Sequence, residues 1–227
     1  MLPAIVVLLL LVAIFGPSFW VRHVLKQHGV DRPDLPGTGA ELARHLLDEA
    51  GLQHVKVEVT DRGDHYDPEG LAVRLLKQHH DGRSVAAVAV AAHEVSHAVQ
   101  HARGERAFAL RIELVKNLGW IDKLASGVML LAPIVFIFLK APFLFALQIV
   151  AGVLLLAIHV VVHVVTLPVE LDASFGKALP VLKRGRYLSP FDWPAAHSVL
   201  QAAAWTYVAA ALATLLNVAR WLRILRF

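Results

Sequence analysis

Four long apolar stretches constrain the fold of this 227-residue chain more than any other feature. Residues 2–21 carry no charge, and a run of about 20 apolar residues is long enough to cross a hydrocarbon core of roughly 30 Å. Residues 121–139 and 143–167 are separated only by a short break, which predicts a transmembrane hairpin. Residues 198–219 are Ala-rich and more polar, so this stretch either spans the bilayer or packs against the hairpin. The four stretches together predict a mainly α integral membrane protein.

The composition agrees with this fold class and disfavours several functions. Apolar residues make up 57% of the chain and the mean hydropathy is +0.58, whereas soluble domains contain roughly 45–50% apolar residues. The net charge is +4, but the basic residues are not interleaved with aromatic ones, so no nucleic-acid partner is predicted. Because the chain has no cysteine, a metal ion can be held only by His, Asp and Glu, and the chain has 13 His.

Between the first and second apolar stretches, residues 22–118 have the mixed composition of a small α+β unit. Apolar residues at helical spacing predict a helix over residues 38–49, and Gly51 follows it. The alternating segment HVKVEVT and the later LAVRLL predict two strands, with the turn-rich DRGDHYDPEG between them. Ser84 is a good N-cap for an Ala/Val-rich helix that ends at Gly104.

This last helix carries His93-Glu94-Val95-Ser96-His97, which fits the pattern H-E-x-x-H. Residues four apart share one face of a helix, so both imidazoles can bind the same ion. Glu94 points about 100° away from His93, where it can take a proton from a metal-activated water. The alternative is a chance match in a His-rich chain, but the position between a good N-cap and a C-terminal glycine favours a metal site.

A catalytic zinc site needs a third protein ligand and an open fourth position. The extended pattern H-E-x-x-H-x-x-G-x-x-H fails here, because Gln100 and Arg103 stand where it requires glycine and histidine. His101 lies one helical turn beyond His97, about 6 Å along the axis, which is too far to bind the same ion. The third ligand must therefore come from another part of the chain.

Three segments together resemble the YugP-like membrane zinc metallopeptidases: SVAAVAVAAHEVSHAVQ, the upstream HYDP and the downstream LPVELDAS. More distantly, the chain resembles the HtpX membrane peptidases. The resemblance implies a zincin-like catalytic unit, a small sheet plus the H-E-x-x-H helix, fused to a transmembrane helix bundle. It implies a gluzincin-like enzyme with one Zn²⁺ per chain and a protein or peptide substrate. In the distant relatives a glutamate beyond a membrane hairpin completes the metal site, which implies that Glu170 joins His93 and His97 as third ligand.

The same relatives place an aspartate four residues after the glutamate to orient a ligand histidine. Ser174 stands at that place here and Asp172 lies two residues after Glu170, so the orienting role stays open between them. Helical phase favours Ser174, because Asp172 would point about 200° away from Glu170. The spacing of His159, His163 and Glu170 puts all three on one face of a continuous helix, and polar residues in an apolar run should face the protein interior.

Two further roles concern the substrate. By resemblance, an edge strand before the metal helix pairs with the extended substrate, and the residues assigned to it are Ala72, Val73, Arg74 and Leu75. The Tyr207 hydroxyl is an isolated polar group in the apolar segment AAAWTYVAAAL. This makes it a candidate to stabilise the negative charge of the tetrahedral intermediate. The alternatives are an ordinary strand and a buried tyrosine with a satisfied hydroxyl.

The segments divide the chain into five parts: an N-terminal transmembrane anchor (1–21), the catalytic unit (22–118), the transmembrane hairpin (119–167), a helix with the third ligand and a basic loop (168–195), and an apolar C-terminal helix (196–227). Basic residues follow both the anchor and the hairpin, and the positive-inside rule predicts that this side is cytoplasmic. We therefore expect an integral protein of the bacterial cytoplasmic membrane, with the lipid bilayer as a partner and the catalytic unit facing the cytoplasm.

The sequence thus predicts a membrane-embedded zinc endopeptidase that hydrolyses peptide bonds of membrane or membrane-proximal proteins, with Glu94 as the general base. The alternative is a non-catalytic membrane protein with a structural or regulatory zinc. In that case a fourth protein ligand would close the site, and Glu94 would have no role.

Overall fold

The computed structural model describes residues 2–139 and 142–206, which separate into two compact units. One unit, here called the site unit, consists of Ser18–Ala109 and Leu167–Thr206. The other contains the described residues of 2–17 and 110–166. In chain order the elements are α1 (Leu2–His28), α2 (Gly39–Glu49), β1 (Lys56–Thr60), β2 (His65–Asp67), β3 (Ala72–Leu76), α3 (Lys77–His80), α4 (Val85–Ala102), α5 (Arg106–Leu139), α6 (Pro142–Leu171), a π-helix (Asp172–Ala178), α7 (Leu179–Gly185) and a 3-10 helix (Pro190–Asp192), followed by helical residues 193–206.

The predicted integral membrane bundle is wrong for the described residues. Crossing a hydrocarbon core takes about 20 consecutive residues that are almost free of charge. Within residues 2–139 and 142–206, no helix combines sufficient length with sufficient apolar character to do this. The final part of the predicted C-terminal helix, from residue 207 onwards, lies outside the described residues.

Local capping signals determine where the helices of the site unit begin. Thr38 caps α2 through a complete capping box, in which its hydroxyl accepts from the Glu41 amide and the Glu41 carboxylate accepts from the Thr38 amide. Ser84 caps α4 by accepting from the Ala87 amide. Gly104 then adopts a φ of 61°, the left-handed conformation that ends a helix.

The sheet has the order β1-β3-β2, with β1 parallel and β2 antiparallel to β3. The sequence predicts a loop where β2 lies, because its three residues stand among turn-forming Asp, Gly and Pro. Pairing with β3 makes it a strand, and Arg74 on β3 strengthens this pairing through ion pairs with Glu58 on β1 and Asp67 on β2. The strand content of this segment therefore depends on tertiary contacts.

The position of β3 differs from the predicted edge strand. Ala72, Val73, Arg74 and Leu75 all pair with β1, and the first three also pair with β2. A strand with a neighbour on each side has its backbone groups already hydrogen-bonded, so it cannot add a substrate strand along that length. The outer strands of the described sheet are β1 and β2.

Helix α4 is the centre of the site unit. Its residues are buried from Val85 to Ala98, and it packs against α2, β3, β2 and the π-helix. Many of its buried positions are alanine, which lets neighbouring backbones approach closely from several directions. A helix that is apolar on almost all sides is stable only inside a core. The H-E-x-x-H residues consequently lie in the interior of the unit.

Candidate metal centre

Two imidazoles of α4 face the same point. His93 and His97 are one helical turn apart, and their Nε2 atoms are 3.2 Å from each other. Both side chains are almost fully buried, at 3% and 2% exposure. The i, i+4 spacing alone therefore produces a pair of nitrogen ligands directed at one position.

A carboxylate from a distant element completes this arrangement. Glu170 is the second-last residue of α6 and has no exposed surface. Its Oε2 lies 3.2 Å from Nε2 of His93 and 3.2 Å from Nε2 of His97. The three ligand atoms thus form a triangle with equal sides. Three ligands of a tetrahedral zinc ion at about 2.0–2.1 Å would lie about 3.3 Å from one another.

The hydrogen bonds of His93 determine which of its nitrogens faces this triangle. Its Nδ1 lies 3.0 Å from the Ser174 hydroxyl, which donates its only hydrogen to the Leu200 carbonyl 2.9 Å away. Ser174 can then only accept from His93, so Nδ1 carries the proton. The Nε2 lone pair is left to face His97 and Glu170, as metal binding requires.

His97 is fixed in the same tautomer by Gln100. The Gln100 amide nitrogen donates to the Val169 carbonyl at 3.1 Å and to the Asp172 carboxylate at 2.7 Å. Since both partners are acceptors, the amide oxygen of Gln100 must face Nδ1 of His97, 2.8 Å away, and accept its proton. His97 therefore also presents an unprotonated Nε2.

Both residues between which the orienting role was left open, Ser174 and Asp172, have contacts at this site. Ser174 holds His93 directly, and Asp172 reaches His97 only through Gln100. Burial acts to raise the pKa of Asp172, but hydrogen bonds from Lys177 and Gln100 outweigh it and hold that pKa below its usual range. Gln100 itself was not predicted as a site residue. Its position three residues after His97, on the same helix face, is the signal that could have indicated it.

The donor set fits a zinc ion. Two neutral imidazoles and one carboxylate converge, and zinc binds such nitrogen and oxygen ligands readily. Three lone pairs with one negative charge repel each other in a buried site unless a cation lies between them. Among the side chains that the structure describes, this cluster contains three ligand groups. A tetrahedral ion held by three ligands keeps its fourth position open, as catalytic zinc sites do.

Glu94 and Tyr207 are also predicted to act in the site, but only Glu94 is among the described residues. Glu94 lies on α4 beside His93 and is 7% exposed, so its carboxylate is inside the site unit rather than in bulk water. Tyr207 lies outside the described residues. The oxyanion role proposed for it stays a prediction.

Aromatic residues border His97 on the side of β2. The Phe108 ring stacks on the His97 ring at 5.7 Å between centroids, and Tyr66 packs against Phe108 at 6.3 Å. The Tyr66 hydroxyl lies 2.9 Å from Nδ1 of His101, the histidine one turn beyond His97. Burial, followed by the negative charge of Asp67, raises the pKa of Tyr66 to about 12.

This raised pKa predicts a loss of stability in alkaline solution. The unfolded chain releases the Tyr66 proton near pH 10, whereas the folded chain holds it to about pH 12. The unfolded state therefore binds fewer protons in this window, and the free energy of unfolding falls as the pH rises. We expect wild type to lose about 1–2 kcal/mol more than Tyr66→Phe between pH 9 and pH 11.5, after allowance for solvent screening. Urea unfolding of both proteins at both pH values measures this, and parallel losses would contradict it.

Comparisons with known proteins show what the whole chain is similar to. The model of the family described as "Putative neutral zinc metallopeptidase" matches residues 3–226. The chain is 37% identical over 223 residues to the "Putative membrane protease YugP" of Bacillus subtilis (strain 168), an alignment that covers 95% of this chain and 94% of that protein. No solved structure matches the chain. The two matches confirm the resemblance that the sequence motifs indicate.

Proposed function

Because the chain belongs to the family of neutral zinc metallopeptidases, we propose that it is a zinc-dependent endopeptidase of the gluzincin type. His93, His97 and Glu170 hold the zinc ion, one per chain, and Glu94 is the general base. The relative from Bacillus subtilis is named a membrane protease. On that basis we propose proteins at a membrane surface as the substrates.

One observation carries this proposal. Three buried ligand atoms lie 3.2 Å apart, and the hydrogen bonds of both imidazoles leave their Nε2 lone pairs directed at the common centre. Such an arrangement is unfavourable without a cation and has the spacing of a tetrahedral zinc site. It is the reason to interpret the buried polar cluster as a metal centre rather than as core packing.

The chemistry is divided between the ion and the side chains. A zinc ion in this position would lower the pKa of a bound water to about 7 and polarise the carbonyl of the scissile peptide bond. Glu94 then accepts the proton of the attacking water and transfers it to the leaving amine. The burial of Glu94 keeps bulk water away from this transfer. Ser174 and Gln100 hold the two imidazoles in the tautomer that the site needs.

A structural or regulatory zinc is less compatible with this geometry. Structural zinc ions are bound by four protein ligands, which close the coordination sphere. Among the described side chains three ligands converge, and the acid of the H-E-x-x-H pattern lies beside them. Both features favour hydrolysis over a purely structural role.

The outer strand β2 is the proposed docking edge for the substrate backbone. It lies at the edge of the described sheet and packs against α4. Its Tyr66 contacts Phe108, which stacks on the ligand His97. An extended peptide added to this edge would form backbone hydrogen bonds next to the metal centre.

Removal and return of zinc test the proposal. We expect purified protein to cleave casein or a quenched fluorescent peptide library, and a strong chelator to abolish this cleavage. One equivalent of zinc per chain should restore it, whereas Mg²⁺ should not, because the imidazole-rich donor set is unsuited to a hard oxygen-seeking cation. Cleavage that persists in the metal-free protein would refute the proposal.

A further inference from the structure

We infer that Gln100, Asp172 and Lys177 form a hydrogen-bonded relay that positions the metal ligand His97, and that Gly176 makes the space for it. The relay runs from the buried ligand to the surface of the site unit. The inference rests on the proposed function only in that it takes His97 to bind zinc, and it concerns metal affinity rather than peptide cleavage.

The first step of the relay joins the two elements that carry the ligands. Gln100 is 1% exposed, and its side-chain amide contacts His97, Val169 and Asp172 at the same time. Val169 immediately precedes the third ligand, Glu170. One amide group therefore fixes the ring of a histidine ligand on α4 and the backbone beside the glutamate ligand on α6. Without this amide group, both the His97 ring and the backbone beside Glu170 would lose a hydrogen bond that fixes them.

The second step extends the relay to the surface. Asp172 accepts from Gln100 and from the ammonium group of Lys177, so the carboxylate cannot turn away from the amide without losing both contacts. Lys177 also forms an ion pair with Glu105 at 3.1 Å. The side chain of Lys177 is 14% exposed and that of Glu105 is 30% exposed. The side chain of Asp172 is 43% exposed, so the relay leads from the buried Gln100 to the surface at its second member.

The π-helix provides the geometry for this step. Its widened turns place Asp172 and Lys177, five residues apart, in direct contact. A Cβ atom on Gly176 would clash with Oδ1 of Asp172 and would lie 3.2 Å from its Cγ. Any larger residue at this position would displace the carboxylate from Gln100. π-Helical segments are rare and often occur at functional sites, which agrees with this role.

The two histidine ligands are positioned separately. Ser174, also on the π-helix, holds His93 through a contact that includes no member of the relay. Changes to the relay should therefore disturb His97 and leave the orientation of His93 intact. Gln100 is in this sense a positioning residue, since it acts on the metal only through His97.

Zinc affinity and cobalt absorption test the relay. We expect Gln100→Met, which has similar length but no hydrogen-bonding groups, to weaken zinc binding about 10- to 100-fold in chelator competition. Gly176→Ala should weaken it about 10-fold. Both variants should change the visible absorption band of the Co²⁺-substituted protein. The matched control is Gly119→Ala, the same change at a helical glycine where an added Cβ meets nothing within 4 Å.

A double variant separates the relay from general packing. Gln100→Glu keeps an acceptor for His97 but brings two carboxylates together at Asp172, so it should bind zinc weakly. The combination Gln100→Glu/Asp172→Asn restores the donor–acceptor pair between these two positions with the roles exchanged, but not the donation to the Val169 carbonyl. We therefore expect it to recover part of the affinity. Circular dichroism confirms that each variant is folded before it is compared.

The outcomes for the relay and for the proposed function differ. If Gln100→Met and Gly176→Ala bind zinc and absorb as Co²⁺ forms like wild type, the relay is refuted. If wild type binds zinc and the variants weaken it as expected, but no peptide is cleaved, the proposed function fails and the relay stands. A wild-type chain that binds no zinc would overturn both.

Discussion

Replacing Glu94 with glutamine will abolish peptide hydrolysis and leave zinc affinity close to that of wild type. Helical geometry directs this side chain about 100° away from that of His93, and Glu94 is not among the three ligand groups of the described cluster. Glutamine has nearly the same shape but cannot accept a proton. General-base catalysis contributes about 10²–10⁴-fold to rate, and we expect kcat/KM to fall by at least that factor. The zinc dissociation constant should change less than about threefold, since all three residues of the described cluster, His93, His97 and Glu170, are retained.

A matched control is Glu113→Gln, the same substitution at an exposed position of α5. It should retain wild-type cleavage and wild-type zinc content. Glu94→Gln protein that still cleaves peptides at the wild-type rate would show that another group removes the proton. Simultaneous loss of zinc and activity would instead place Glu94 among the groups that build the site.

Local sequence signals were sufficient to predict two of the three candidate metal ligands. Ser84, the Ala/Val-rich run and Gly104 define α4 through capping and spacing alone, and the i, i+4 rule then brings His93 and His97 together. Glu170 is 73 residues away from His97 in sequence. Its assignment depended on the family resemblance, because no local pattern indicates which distant carboxylate packs against a given helix.

Composition and periodicity describe segments one at a time, so they miss features that arise from contacts between segments. Strand β2 exists because it pairs with β3, and that pairing makes β3 a central strand instead of an edge. Helical phase favoured Ser174 over Asp172, and Ser174 contacts His93, whereas the contact of Asp172 with Gln100 could not be inferred from phase. The predicted membrane-spanning helices are a separate error, because the described residues contain no helix long and apolar enough.

Glu170→Gln will bind zinc far more weakly than wild type, and its metal-free form will be more stable. Each outer contact of a metal site is worth about 10- to 100-fold in affinity, so loss of a direct anionic ligand should cost more than 100-fold. In metal-free protein with both imidazoles neutral and protonated on Nδ1, Oε2 of Glu170 faces two lone pairs at 3.2 Å, and all three atoms are acceptors. A glutamine amide can donate to these nitrogens, which replaces repulsion by hydrogen bonds worth about 1–3 kcal/mol in a buried site.

Thermal unfolding with chelator and with zinc distinguishes the two effects. Zinc at 100 times its dissociation constant should raise the free energy of unfolding of wild type by about 2.7 kcal/mol, and the same zinc concentration should stabilise Glu170→Gln very little. In chelator the order should reverse, with the variant unfolding at the higher temperature. Glu113→Gln again serves as the control, because it should follow wild type under both conditions.

A Glu170→Gln variant that zinc stabilises as much as it does wild type would exclude Glu170 as a ligand. A variant that is less stable than wild type in chelator would show instead that the carboxylate has a hydrogen-bonding role independent of any metal. The metal site would then be preorganised by donors inside the triangle, contrary to the tautomers that Ser174 and Gln100 impose.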